Sequence, residues 1–150
     1  MSVMRQNSIY VIILLLIVGF VFLTFRKPPQ DILTLSSGTM SAGGATMVPI
    51  TLQTSSARLS GLEWQIAAPL GVTFDINVTL KGKALKCKSA HCILIGGKVP
   101  IRSGPIGALT LHVPGDMRLP ITIAVVQVIA VESDGSQQTV TGSSMTIGPK

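Results

Sequence analysis

Residues 72–80 read VTFDINVTL, and apolar and polar side chains alternate along this stretch without a break. Side chains of an extended strand point alternately to its two faces, so the apolar members of the stretch share one face. A period of two is typical of a half-buried β-strand and does not fit a helix. The core-facing residues predicted for this strand are Val72, Phe74, Ile76, Val78 and Leu80.

The same alternation recurs on both sides of this stretch. Leu62, Trp64 and Ile66 are predicted to share a buried face, and Glu63 and Gln65 the opposite face. Burial of Trp64 in this way argues against its use as a sugar-stacking platform. Beyond residue 30 no segment has helical spacing of apolar residues, and turn residues recur at intervals of roughly 8–15 residues. The dipeptide Asp134-Gly135 predicts a hairpin turn, and residues 139–147 are predicted to form the closing strand, with a bulge at Gly142. The sequence therefore predicts an all-β sandwich that forms one domain over residues 32–148.

Two parts of the chain resemble the cohesin-like domains. The first part consists of LTLSSG at 33–38, AGG at 42–44, VPI at 48–50 and LSGLEWQI at 59–66. The second part consists of GPIGALTLHV at 104–113 and ESDGS at 132–136. The resemblance implies a jelly-roll β-sandwich of about nine strands that binds another protein, a dockerin in cellulosomes, through one sheet face. Carbohydrate-binding modules share this architecture, so polysaccharide is an alternative ligand.

An apolar run, Ile9–Phe25, precedes the β-rich part and contains no charged residue. As a helix with about 1.5 Å rise per residue it spans roughly 25 Å, close to the thickness of a bilayer core. The run ends in Arg26 and Lys27 without a small-residue cleavage site, so we predict a transmembrane signal anchor; a cleaved signal peptide is the alternative. The segments predicted before the domain are a flank at 1–8, the helix at 9–25 and a linker at 26–31.

The charge of the chain limits the classes of partner that it can bind and bears on its orientation in a membrane. Of 12 basic residues, Arg5, Arg26 and Lys27 flank the apolar run, which leaves nine against six acidic residues. This weak excess, with few aromatic residues and no basic helix, does not fit a nucleic-acid-binding protein. The flanking charges are nearly balanced and do not set the orientation of the anchor. The cysteines favour an oxidising compartment, so we predict a single-pass membrane protein whose C-terminal domain lies outside the bacterial cytoplasm.

Four lysines fall within the segment KGKALKCK at 81–88. Lysine on an edge strand prevents edge-to-edge pairing of sheets, so we predict that this segment is a solvated edge strand. Contact with an anionic membrane or glycan surface is the alternative interpretation.

Cys87 and Cys92 are the two cysteines of the chain and lie on either side of a predicted turn. Directly opposed residues of an antiparallel pair have nearly the Cα separation that a disulfide requires. We therefore predict a disulfide between them. The alternatives are two buried thiols or a metal site, but the neighbouring His91 and the remote His112 match no zinc spacing, so no metal is expected.

No catalytic constellation can be assembled from the sequence. The six acidic residues are scattered, and two histidines give no convincing Ser-His-Asp grouping. We therefore predict a non-enzymatic protein-binding or assembly module without a cofactor. Its partner-binding residues are predicted to be the outward side chains Glu63, Gln65, Thr110 and His112. The alternatives are a carbohydrate-binding module for cell-wall or extracellular polysaccharide and a structural accessory subunit of an envelope complex.

Overall fold

A computed structural model describes residues 30–150, and all regular structure within this range is β. The strands in chain order are β1 Ile32–Leu35, β2 Gly38–Met40, β3 Ala45–Gln53, β4 Leu59–Ala67, β5 Thr73–Val78, β6 Ala84–Lys88, β7 His91–Ile95, β8 Gly104–His112, β9 Ile121–Glu132, β10 Gln137–Gly142 and β11 Ser144–Pro149. No helix in this part of the chain is long and apolar enough to span a bilayer. The anchor predicted at residues 9–25 lies outside the described residues.

The strands form two packed layers, which confirms the predicted all-β sandwich. One layer has the order β5-β8-β3-β1, and the other has the order β10-β9-β4-β7-β6. Parallel pairing of β1 with β10 joins the layers along one side, and β11 pairs with both β9 and β2. On the other side the edge strands β5 and β6 lie against each other without pairing. The sandwich is therefore nearly closed.

The described part of the chain contains eleven strands where about nine were expected. One addition is the three-residue strand β2. The other arises because residues 139–147, predicted as one closing strand with a bulge at Gly142, divide there into β10 and β11. A Cβ on Gly142 would overlap the Val125 carbonyl oxygen, and the Val125 amide donates to the Ser143 carbonyl at 2.8 Å. This close approach places β10 and β11 along different halves of β9.

The core lies between the two layers and contains the inward side chains of both. Leu62, Trp64 and Ile66 of β4 are each at most 2% exposed, as predicted. The strand predicted from residues 72–80 is β5, and its apolar residues do face the core. They are only half-buried, however, because β5 is an edge strand that β8 covers on one side alone.

A buried carboxylate, Asp31, ties the start of β1 to two other parts of the sandwich. Asp31 is 8% exposed and accepts hydrogen bonds from the Thr54 hydroxyl at 2.5 Å and from the Ser55 amide at 2.8 Å. The Ser55 hydroxyl and the Gln138 amide donate two more, each at 3.0 Å. Burial opposes the charge, but these hydrogen bonds outweigh it, so the pKa of Asp31 lies below its ordinary value. Asp31 therefore stabilises the fold as a carboxylate.

We expect Asp31→Asn to lower the free energy of unfolding at pH 7 by about 1–3 kcal/mol, because an amide cannot accept all four hydrogen bonds. A carboxylate whose pKa is depressed by folding stabilises the protein above its unfolded-state pKa, and this contribution is lost as pH falls through the folded pKa. Urea unfolding should therefore show the difference between wild type and variant shrinking below about pH 4. The exposed Asp116→Asn variant is the control, and a pH-independent difference for Asp31→Asn would contradict this account.

Trp64 supplies a second test, because it is the sole tryptophan and is 1% exposed. Truncation of a buried aromatic side chain costs about 3–5 kcal/mol, so Trp64→Ala should unfold or strongly destabilise the domain. The indole Nε1 has no hydrogen-bond partner among the described residues, so Trp64→Phe, which removes this unsatisfied donor, should cost less. Wild-type fluorescence should be blue-shifted and resistant to acrylamide. Red-shifted emission that acrylamide quenches fully would place Trp64 at the surface.

Candidate functional site

The outward side chains of β6, β7, β4 and β9 form a regular grid, which we call the β4–β7 face. The strand register aligns these side chains in three rows. The rows are Lys88, His91, Gln65 and Val126; Lys86, Ile93, Glu63 and Ile129; and Ala84, Ile95, Gly61 and Val131.

One part of the β4–β7 face is aliphatic and open to solvent. Ile93 is 38% exposed and Ile95 is 54% exposed. Gly61 lies between Ile95 and Val131 in the third row and leaves a shallow hollow there. A Cβ added at Gly61 would lie 3.6 Å from the Val131 Cβ, an ordinary van der Waals distance. The hollow at Gly61 therefore has room for at least a methyl group.

The other part of the β4–β7 face is polar. His91 Nε2 lies 2.7 Å from Glu63 Oε1, on the diagonal between two rows, and both side chains are partly exposed. Lys86 and Lys88 extend from β6 at the border of the face and are exposed. Glu63 is the one carboxylate among the residues of the β4–β7 face. The border of the face along β6 contains Lys86 and Lys88 and is positively charged.

The four predicted binding residues all lie at outward positions, but they do not share one face. Glu63 and Gln65 belong to the β4–β7 face, whereas Thr110 and His112 lie on β8 in the other layer. The outer faces of the two layers point to opposite sides of the sandwich. The four residues therefore do not form one face, because alternation identifies outward positions without identifying the layer. Their role in binding stays a prediction.

The outer face around Thr110 and His112 has a different character. In register, Thr110 stands between Asp75 of β5 and Met47 of β3. His112 Nε2 lies 3.9 Å from Asp75 Oδ2, and both groups are largely exposed. Met47, 68% exposed, is the one large apolar side chain exposed on this face. This face is consequently less apolar than the β4–β7 face.

The predicted disulfide between Cys87 and Cys92 is confirmed. The two residues are directly opposed in the β6–β7 hairpin, with their Cα atoms 4.1 Å apart. Cys92 is fully buried. Because side chains alternate along β7, Leu94 is also buried, whereas Ile93 and Ile95 are exposed. The disulfide therefore fixes β6 on β7 and holds Lys86 opposite Ile93 and Lys88 opposite His91. Sequence reasoning missed the two isoleucines, although Cys92 as an inward residue would have located them.

A cleft of about 600 Å³ lies between the unpaired edges of β5 and β6. Its lining residues are Phe74, Asp75, Ile76, Asn77, Leu85, Cys87 and Ser89. Asp75 is the one ionisable side chain in this lining, since Cys87 is in the disulfide. Within residues 30–150 no cluster of three or more His, Cys, Asp or Glu side chains could hold a metal ion.

Solved structures that share this architecture are cohesin modules. A cohesin from Clostridium acetobutylicum is 14% identical, with a TM-score of 0.67 over 83% of this chain and 93% of its own. The sixth cohesin of Acetivibrio cellulolyticus scaffoldin B, solved with a mutant Cel5 dockerin, is 8% identical, with a TM-score of 0.67 over 81% and 99%. A non-cellulosomal cohesin from the archaeon Archaeoglobus fulgidus is 12% identical, with a TM-score of 0.64 over 81% and 91%.

Sequence comparison gives no such match: no protein-family model and no curated protein matches the chain. At 8–14% identity the likeness to the solved structures is one of fold. It agrees with the resemblance that the motifs at 33–66 and 104–136 indicate. Residues 30–150 therefore adopt a cohesin-like β-sandwich fold.

Proposed function

We propose that this protein is a non-enzymatic protein-binding module that docks a partner of the dockerin type on its β4–β7 face. The observation that carries the proposal is the pair of exposed isoleucines, Ile93 and Ile95, on a regular sheet face with a polar border. Exposed apolar patches rimmed by polar residues are typical of protein-interaction sites. The mechanism is burial of the isoleucines against the partner, with one of its side chains seated in the hollow at Gly61.

The likeness of fold supports the class of partner. One of the similar cohesins was solved with a Cel5 dockerin bound, and another complex pairs a Clostridium thermocellum cohesin with a dockerin. A flat sheet face without a deep pocket suits a folded protein surface better than a small ligand. Glu63, Gln65 and His91 provide polar groups that fix the orientation of the partner on the face.

The distribution of aromatic side chains favours protein over polysaccharide as the ligand. Residues 30–150 contain two aromatic side chains, Trp64 and Phe74. Trp64 is 1% exposed, and Phe74 points toward the core from β5. A sugar-stacking platform would need exposed aromatic side chains on an outer face, so the carbohydrate-binding alternative has weaker support.

We also propose that the module is held at a membrane by Ile9–Phe25 and displayed outside the cytoplasm. The charge-free run supports the anchor. The disulfide between Cys87 and Cys92 supports the oxidising compartment. Residue 30 leaves the sandwich at one end of its strands, so a membrane anchor attached there leaves both sheet faces free for a partner.

The test compares charge insertion on the two outer faces. In the full chain, Ile93→Asp/Ile95→Asp should weaken binding to a dockerin panel, or to a partner identified by pull-down, by about tenfold or more, because a charge would be buried in the interface. The matched control is Met47→Asp/Thr110→Asp, two neighbouring exposed or half-exposed positions on the opposite face. This control should bind like wild type by calorimetry, and circular dichroism should show that both variants are folded.

Loss of binding by the control and not by the Ile93/Ile95 variant would assign the site to the opposite face. Equal binding by both variants would contradict docking on either sheet. The carbohydrate-binding alternative would be favoured if the wild type bound a glycan array, the Ile93/Ile95 variant did not, and no protein partner was found.

A further inference from the structure

The end of the sandwich from which residue 30 leaves, here called the entry end, comprises the β3–β4, β5–β6 and β7–β8 loops and the β9–β10 turn. Hydrogen bonds tie these parts together around the start of β1. Asp31 accepts from Thr54 and Ser55 of the β3–β4 loop. The Thr54 amide in turn donates to the Ser103 hydroxyl of the β7–β8 loop at 2.9 Å. The point of chain entry is therefore fixed relative to these loops.

Five basic side chains belong to the entry end: Arg58, Lys81, Lys83, Lys98 and Arg102. The β5–β6 and β7–β8 loops touch, because the Lys83 ammonium donates to the Val99 carbonyl oxygen. Arg58 pairs with Glu132 at 2.6 Å and with Asp134 at 3.2 Å. Among the described residues none of the other four bases has a carboxylate within ion-pair distance. Val99, 67% exposed, lies in the same loop as Lys98 and Arg102. The result is a patch of four basic side chains without ion-pair partners among the described residues, next to an exposed apolar side chain.

The length of chain before the sandwich limits which end can approach a bilayer. Six peptide steps separate Phe25, the last residue of the charge-free run, from Asp31. They reach at most about 20 Å when fully extended. A nine-residue strand such as β4 is itself about 30 Å long, so the far end of the sandwich is out of reach of such a tether. If residues 9–25 span a membrane, the entry end is the end held next to it.

We propose that the entry end docks on anionic phospholipid headgroups, with Lys81, Lys98 and Arg102 near the phosphates and Val99 in the interfacial layer. Basic clusters next to a membrane segment are attracted to anionic lipid, and an apolar side chain among them adds contact with the interface. This inference rests on the membrane anchor proposed above. It would set the strands upright on the membrane and turn the β4–β7 face sideways, where a partner can reach it.

The experiment uses the full chain reconstituted in vesicles of phosphatidylcholine with or without phosphatidylglycerol. An environment-sensitive fluorophore is attached, under non-reducing conditions, at Val99→Cys on the entry end or at Leu70→Cys. Leu70, 99% exposed, lies beyond the opposite end of β4 and is the matched site. With phosphatidylglycerol the label at 99 should shift to the blue and be quenched by a lipid-borne quencher, and the label at 70 should do neither. Added salt should reverse the effect.

A charge-matched pair of variants separates this patch from general attraction. Lys81→Gln/Lys98→Gln should reduce the blue shift at position 99, whereas Arg118→Gln/Lys150→Gln, which removes two charges from the far end, should leave it unchanged. Flotation of the vesicles in a density gradient shows whether the chain is bound to them. A chain that floats with both kinds of vesicle but gives equal fluorescence signals at positions 99 and 70 overturns this inference and remains consistent with the membrane anchor. A chain that floats with neither contradicts both. A shift at 99 caused by soluble heparin and not by phosphatidylglycerol would assign the patch to an anionic glycan and overturn the lipid inference. None of these outcomes decides whether a protein binds the β4–β7 face.

Discussion

The placement of Trp64 at the centre of the sandwich is the constraint on which the rest of the structure depends. Strand β4 lies between β9 and β7, and its alternation gives Leu62, Trp64 and Ile66 to the core. Because the side-chain period of a strand is two, the same register must turn Glu63 and Gln65 outward. The β4–β7 face is thus the reverse side of the core. A change that loosened the packing of Trp64 would also disorder the surface proposed to bind a partner.

The sequence predicts this fold well where apolar and polar residues alternate strictly and where a turn has a typical dipeptide such as Asp-Gly. Leu62, Trp64 and Ile66, the Asp134-Gly135 turn and the opposed Cys87 and Cys92 all lie where expected. The candidate site was only half predictable, since alternation assigns Glu63 and Thr110 to outward positions but cannot say which strands lie side by side. Pairing of β4 with β9 and of β8 with β3 joins residues that are far apart in the chain, and no local pattern encodes it. The division at Gly142 was missed for the same reason, because its cause is a contact with Val125.

Two strands at the candidate surfaces, β6 and β1, are each held in place by specific interactions. On β6, exposed lysines disfavour pairing with another sheet edge, and the disulfide holds the strand on β7. At the entry end, Asp31 and its hydrogen-bond partners hold the start of β1 in place. The face proposed for a protein partner borders the end proposed for lipid at Ile95, and different substitutions test the two surfaces.

The most direct test of the account is a methyl NMR titration of the isoleucine- and methionine-labelled protein with its partner. Docking on the β4–β7 face predicts that the methyl resonances of Ile93, Ile95 and Ile129 shift or broaden, and that the resonance of Met47 on the opposite face stays unchanged. Perturbation of Met47 with unaltered Ile93 and Ile95 would contradict the account, because the partner would then occupy the other layer of the sandwich.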